Sequence, residues 1–346
     1  MKVYNVKYDE DIIYIIIMSK KLMKALMNAV EKGDEAKDEV DGLIESDRKY
    51  LGSKYLNSAI VKAVENGYLE IVKILLEKGA NVNLLTNDDV DATLLYIAMD
   101  QGTSEMVELL LENGAVVDEL SFEYIMGNRV SITPLLRAVT KLIHGWVPAQ
   151  TLFHYHDIIK ILLEKGANVN FQRYDGATPL YIAVIGGYFE TVKLLLENGA
   201  DVDLPAVERI DYKPISITPL FKAVSKLQLE PVPRERSLRY SDIIKILLQY
   251  GADMHKKNEN NLSPLDIAEN NPEIKALLIE GDKQNKIVLM HEIYGEQGLV
   301  LGDNGMDVGS RKLLYSFLGG KKQKSTRKYK NIKKRKSTRN RPKTKK

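Results

Sequence analysis

The phrase SITPLLRAVTKL (131–142) returns 85 residues later as SITPLFKAVSKL (216–227). Thr ahead of Pro reads as a helix N-cap: its hydroxyl accepts a hydrogen bond from an orphan backbone N–H, and Pro at the next position has a fixed φ and no donor to waste. The Ala that follows keeps the helix thin where a neighbour must approach. Matching starts occur as SAIVKAVENG (58–67), TLLYIAMDQG (93–102), TPLYIAVIGG (178–187) and SPLDIAE (263–269). The phrase is a building rule, not a reactive motif.

A second phrase follows five of these starts: EIVKILLEKGANVN (70–83), EMVELLLENGAVVD (105–118), DIIKILLEKGANVN (157–170), ETVKLLLENGADVD (190–203) and DIIKILLQYGADMH (242–255). Such a helix is apolar around most of its girth and needs burial on two sides, which suits a stacked array. Glu70, Glu105, Asp157, Glu190 and Asp242 are expected to lead these helices, where the dipole favours negative charge. Gly79, Gly114, Gly166, Gly199 and Gly251 stand where a left-handed C-terminal stop is wanted.

These motifs, T-P-L-x-x-A followed by L-L-L-x-x-G-A-x-V, resemble ankyrin repeats over about 57–280. The resemblance implies an all-α fold: a solenoid of stacked helix-turn-helix units with finger loops. The expected repeats are 58–83, 93–118, 133–170, 178–203, 218–255 and 263–280, preceded by a degenerate capping helix pair within 18–56. The family usually has His after T-P-L. Here that position holds Val61, Tyr96, Leu136, Tyr181, Phe221 and Asp266, so apolar packing is expected to replace the histidine's hydrogen bonding at most of them.

The period alternates. Successive glycine stops lie 35, 52, 33 and 52 residues apart, so a short and a long repeat form a pair that is duplicated with an offset of 85. The long members carry 12 extra residues, expected as inserted loops at 142–156 and 227–241. Val147/Val232, Pro148/Pro233 and Tyr155/Tyr240 match between the copies. HYHD (154–157) has metal-ligand types, but the copy has Arg239 and Ser241 at the His positions, so His154 and His156 read as surface residues. Trp146, the single Trp, either covers the extended helix end or anchors a partner.

Net charge is +3, but it averages two unlike regions. From Gly319 to Lys346 there are 15 Lys and Arg and no acid, leaving 35 basic and 47 acidic residues before it. This tail is expected to be disordered. Its KKRK, Lys333, Lys334, Arg335 and Lys336, resembles a nuclear-import signal, and its charge suits nonspecific nucleic-acid phosphates. A Gly-Gly hinge ahead of such a tail, in a Lys-, Ile- and Asn-rich chain, resembles proteins of giant DNA viruses related to mimivirus. Residues 281–318 read as an irregular linker with a short helix. Residues 1–17 are expected to lie outside the fold, with Met18 as a natural start.

There is no Cys, so disulfides and thiolate chemistry are excluded. The apolar run IIYIIIM (12–18) is too short to span a bilayer, and an intracellular, soluble protein is expected. No G-x-x-x-x-G-K-[ST], H-E-x-x-H or G-x-S-x-G occurs. The chain therefore reads as a non-catalytic, monomeric binding protein without cofactor or metal. A nucleic-acid or virion-core role for the tail is the alternative. A ubiquitin-ligase adaptor ranks below both, because no Leu-Pro-led F-box pattern follows Glu280. By the family pattern the partner-contact positions are Asp89, Asp100, Gln101, Arg129, Lys141, Tyr174, Asp175, Ile185, Lys226, Glu259 and Asn260, with Trp146 on the first insertion.

Overall fold

A computed structural model describes residues 21–294, apart from 22, 47–52, 87–90, 102, 126–127, 144–148, 211 and 230–233. The hydroxyl caps are formed. Thr93, Thr133, Thr178 and Thr218 accept the N–H of Tyr96, Leu136, Tyr181 and Phe221 at 3.0–3.3 Å. Ser263 accepts from Asp266 N–H at 3.2 Å, and the Asp266 carboxylate accepts the Ser263 N–H at 2.9 Å, a reciprocal capping box. Ser58 does not cap. It lies within α3 (Ser53–Glu65), and its hydroxyl donates to the Lys54 carbonyl at 3.1 Å. Ala59, unlike Pro, lets that helix continue upstream across the expected 56/57 boundary.

The chain divides into two compact units, Met1–Lys222 and Ala223–Lys346. In the first, α1 (23–31) and α2 (Lys37–Ser46) precede four pairs: α3 with α4 (Leu69–Glu77), α5 (Leu94–Gln101) with α6 (Ser104–Glu112), α7 (Pro134–Ile143) with α8 (Ala149–Glu164), and α9 (Pro179–Gly186) with α10 (Phe189–Glu197). The first members α3, α5, α7 and α9 touch in succession, and so do α2, α4, α6, α8 and α10. Ala63, Ala98, Ala138 and Ala183 are wholly buried, the thin side that lets each first helix receive its neighbour. All five glycine stops have φ between 88° and 95°.

A polar ladder joins the repeats where the second helices end. The Asn57 side chain accepts the Asn81 N–H at 2.9 Å, Asn83 accepts that of Val116 at 2.9 Å, Asp118 that of Asn168 at 3.0 Å, and Asn170 that of Asp201 at 2.7 Å. Asn83 and Asn170 also donate to the Gly114 and Gly199 carbonyls. Backbone groups that a turn would leave orphaned are thus taken up by the preceding repeat. At the N-terminal end, Asp34 accepts the Ile71 N–H at 3.2 Å and Lys78 pairs with Asp41 at 2.8 Å.

The insertions and two of the fingers also depart from expectation. The insertions are mostly helix: α8 begins at Ala149 and α12 (Arg234–Gln249) at Arg234, directly after the matched Pro148 and Pro233, which suit a helix start and block extension upstream. Asp157 and Asp242 consequently lie mid-helix and lead nothing, whereas Glu70, Glu105 and Glu190 do sit in first turns. The retained Tyr155 is buried and donates to the Met99 carbonyl at 2.8 Å, capping the C-terminal end of α5. Finally, two fingers are not plain loops but β-hairpins, β1 (Ser121–Ile125) with β2 (Asn128–Ile132), and β3 (Ala206–Ile210) with β4 (Lys213–Ile217).

The second unit holds α12, the capped single turn α13 (Pro264–Ile267) and α14 (Pro272–Tyr294), with α11 (Pro219–Leu229) beginning just ahead of it. Residues 281–294, expected as irregular linker, are helical because α14 continues past Glu280 and packs on α12. Gly281 makes the approach possible: a Cβ there would stand 2.5 Å from Leu248 Cδ1. Residues 1–17, the rest of the linker and the 319–346 tail lie outside the described residues. No helix among the described residues is long and apolar enough to cross a membrane.

Two glycines separate backbone conformation from close packing. Gly79, at φ 95°, has open space where a Cβ would go, whereas Gly176, at φ 75°, has the Pro205 carbonyl oxygen 2.9 Å from it. Gly79→Ala is expected to cost about 1 kcal/mol and Gly176→Ala about 1–3 kcal/mol more in urea unfolding. Equal costs would show that the Gly176 contact is not real.

Candidate interaction surface

Each finger carries the chain from a second helix to the next first helix. The two hairpins have the same register, Glu123 opposite Val130 and Glu208 opposite Ile215, each closing on a two-residue turn. Their bases are buried through Ser121, Val130 and Ile132, and through Ala206, Ile215 and Ile217. Their outer halves are exposed, with Tyr124 57% and Tyr212 100% accessible. An isolated two-stranded hairpin is marginal in water, so something must hold these outward.

The holding group is the glutamate at mid-strand. Glu123 accepts from the Tyr96 hydroxyl at 3.2 Å and from the Arg137 guanidinium. Tyr96 belongs to the preceding first helix, α5, and Arg137 to the following one, α7, so one carboxylate joins two repeats and a finger. Arg137 also donates to Asp100 at 2.6 Å, Lys141 pairs with Asp100 at 2.6 Å, and the guanidinium lies 4.8 Å from the Tyr96 ring centroid. The duplicate repeats the joint: Glu208 accepts from the Tyr181 hydroxyl at 2.5 Å and pairs with Lys222 at 2.8 Å. With Ile185 where the first copy has Asp100, the second joint has no second carboxylate at that position.

Tyr96 and Tyr181 occupy two of the positions where the family usually has His. There a phenol makes a hydrogen bond to the next finger, and Asp266 makes a capping box, so apolar packing is left with Val61, Leu136 and Phe221. Burial, then the nearby glutamate, pushes both phenols above the usual tyrosine range, which keeps them protonated donors. At Asp100 burial alone would raise the carboxyl, but Lys141 and Arg137 outweigh it and hold it below the usual range.

The expected contact residues are placed as follows. Asp100 and Lys141 are brought together as an ion pair. Gln101 is the last residue of α5. Arg129, on β2, pairs with Asp91 and lies 3.7 Å from the Phe122 ring centroid. Tyr174 is 64% exposed, and Asp175 pairs with Arg173 at 2.5 Å and accepts the Ala177 N–H at 3.1 Å. Ile185 is half-buried on α9, Lys226 lies on α11, and Glu259 and Asn260 are exposed on the last finger of the second unit. Asp89, Trp146 and the basic stretch Lys333–336 lie outside the described residues. His154 is exposed and His156 half-buried on α8. The reading of the sequence missed Tyr124, Tyr212 and both glutamate joints, although alternation in SFEYI and NRVSI around a Gly-containing turn was a hairpin signal.

Replacing Glu208 by Gln removes the charge that Lys222 and Tyr181 converge on. Amide exchange across 206–217 is expected to quicken about tenfold, the equivalent of one charge-assisted hydrogen bond, with the helices unaffected. The same change at Glu123 should loosen its hairpin less, because Asp100 still holds Arg137. Exchange that rises equally in every helix would contradict a finger-specific joint.

A family model for ankyrin repeats matches three times, over residues 4–86, 26–121 and 138–206, together more than half of the chain. The first match includes residues 4–17. Among solved structures, the ankyrin-repeat domain of Bcl-3, described as a unique member of the IkappaB protein family, is 20% identical with a TM-score of 0.52, covering 74% of this chain and 96% of its own; that likeness speaks for the fold alone. The human ASB11 ankyrin-repeat domain is 25% identical (TM-score 0.47, covering 75% and 96%). An ankyrin-repeat domain from Acinetobacter baumannii AYE is 21% identical (TM-score 0.48, covering 64% and 96%). No curated protein matches the chain. With capped helix pairs, glycine stops and projecting fingers in place, the family-model coverage settles the matter: this chain belongs to the ankyrin-repeat family.

Proposed function

We propose that the chain is a non-catalytic scaffold that binds a partner protein through its fingers and first helices. Ankyrin repeats generally mediate protein–protein interaction, and the fold is typically a non-enzymatic scaffold. The observation that carries the reading is the pair of glutamate joints. Each joins two repeats to one hairpin whose outer half is exposed. A finger held outward in this way is pre-organised for contact. Tyr124 and Tyr174, large and exposed on successive fingers, are the residue type that dominates binding energy in interfaces.

The basic tail supports a second role beside this one. Its 15 cations within 28 residues suit import or sequence-blind nucleic-acid contact, lost as salt rises. The viral reading rests on the Gly-Gly hinge and the Lys/Arg/Ser/Thr composition of that tail, and it would place the partner in a eukaryotic host. The ubiquitin-ligase adaptor stays last, with no F-box-like segment behind it.

Alanine at Tyr124, Tyr174 and Asn260 together, all exposed, should leave the unfolding midpoint unchanged and weaken partner capture at least about tenfold. Undiminished capture by a folded triple variant would remove the fingers from the contact surface.

A further inference from the structure

We infer that Tyr212 is a contact anchor, placed at the tip of the β3–β4 hairpin to enter an apolar, carboxylate-edged pocket on a partner protein. This rests on the scaffold reading above and says what the partner must look like. The first support is the backbone. Tyr212 has φ 62°, in the left-handed region that Gly or Asn adopts readily and a bulky side chain does not. It is the second residue of a two-residue hairpin turn, where Gly is the ordinary occupant.

The duplication supplies the comparison inside one chain. At the corresponding position, 85 residues earlier, stands Gly127. One copy thus has the residue that suits such a turn, and the other has an aromatic that opposes it. The second support is exposure: the Tyr212 side chain is 100% accessible, so no packing within the fold offsets the strain. Strain kept without internal compensation points to a role outside the fold. Tyrosine suits that role, since its rigid ring buries a large apolar area while its hydroxyl finds a polar partner.

The neighbours define the pocket. Ile210, 45% exposed and the last residue of β3 before the turn, adds apolar surface beside it. Arg209 and Lys213 are exposed on the two strands, while the Glu208 charge is taken up by Lys222. Asp211 offsets one of those two cations in the sequence, leaving one net positive charge about the turn. The complementary surface is a pocket apolar in depth with carboxylate at its edge.

The test uses the full chain carrying the photo-crosslinker p-benzoyl-phenylalanine in place of Tyr212, and separately of Tyr124 and Tyr174, irradiated in lysate of cells that express it. Unlabelled wild-type chain and the Tyr212→Gly variant serve as competitors. The expected result is one discrete protein adduct at 212 that maps to a carboxylate-edged site, is suppressed by wild type, and is suppressed about tenfold less well by Tyr212→Gly. The variant's unfolding midpoint should rise by about 2–4 °C as the strain is relieved. A lowered midpoint, equal competition by the variant, or an adduct with nucleic acid would overturn the anchor. Adducts at 124 and 174 with equal competition at 212 would sink the anchor alone. No protein adduct at any of the three positions would sink the scaffold reading with it.

Discussion

A helix that is apolar around most of its girth can be buried only between neighbours of its own kind, and the first unit is the solution of that constraint. Each first helix offers a wholly buried alanine to the next, and each second helix packs in the same order. No single repeat could bury both of its apolar sides, so stability resides in the contacts between repeats as much as within them. The Asn and Asp ladder adds the polar half of the same rule. It satisfies backbone groups of one repeat with side chains of the one before, where water would otherwise have to do so.

The proposed function then rests on what the stack leaves outside. The fingers are free of the core requirement beyond their bases, so their tips can vary without unfolding the array. That freedom brings a difficulty, because a hairpin without cover does not stay in one place. The glutamate joints resolve it by linking each hairpin to a side chain of the first helix before it and a side chain of the first helix after it. The duplicated copies show which parts of the joint recur. Tyr, Glu and a cation recur at matching positions in both, whereas Asp100 gives way to Ile185 and Gly127 to Tyr212. The joint is common to both copies, and the tip differs between them.

Much of the fold was legible in the sequence because its signals are local. The Thr caps, the Pro that follows three of them and the glycine stops depend on one or two residues each, and they are found where expected. Three things were not legible. The insertions read as loops because Asp157 and Asp242 imitate helix starts, although Pro148 and Pro233 mark the true ones. The hairpins were hidden by short strands, five residues each, within segments the repeat pattern labels as loop. The joints pair residues that are not adjacent in sequence, Tyr96 with Glu123 and Tyr181 with Glu208, and no local periodicity announces such a pair. Of the residues expected at a partner contact, Tyr174, Glu259 and Asn260 are exposed, whereas Asp100 and Lys141 pair with each other.

The central claim is that partner recognition belongs to the folded repeats and not to the basic tail. It is tested most directly by paired affinity captures with the chain ended at Leu318 and with the isolated segment 319–346, each with and without nuclease. The account predicts that the repeat body retains a discrete protein set after nuclease treatment and that the tail does not. Capture by the tail alone, abolished by nuclease or by salt, would contradict it and make the repeats a spacer for nucleic-acid binding.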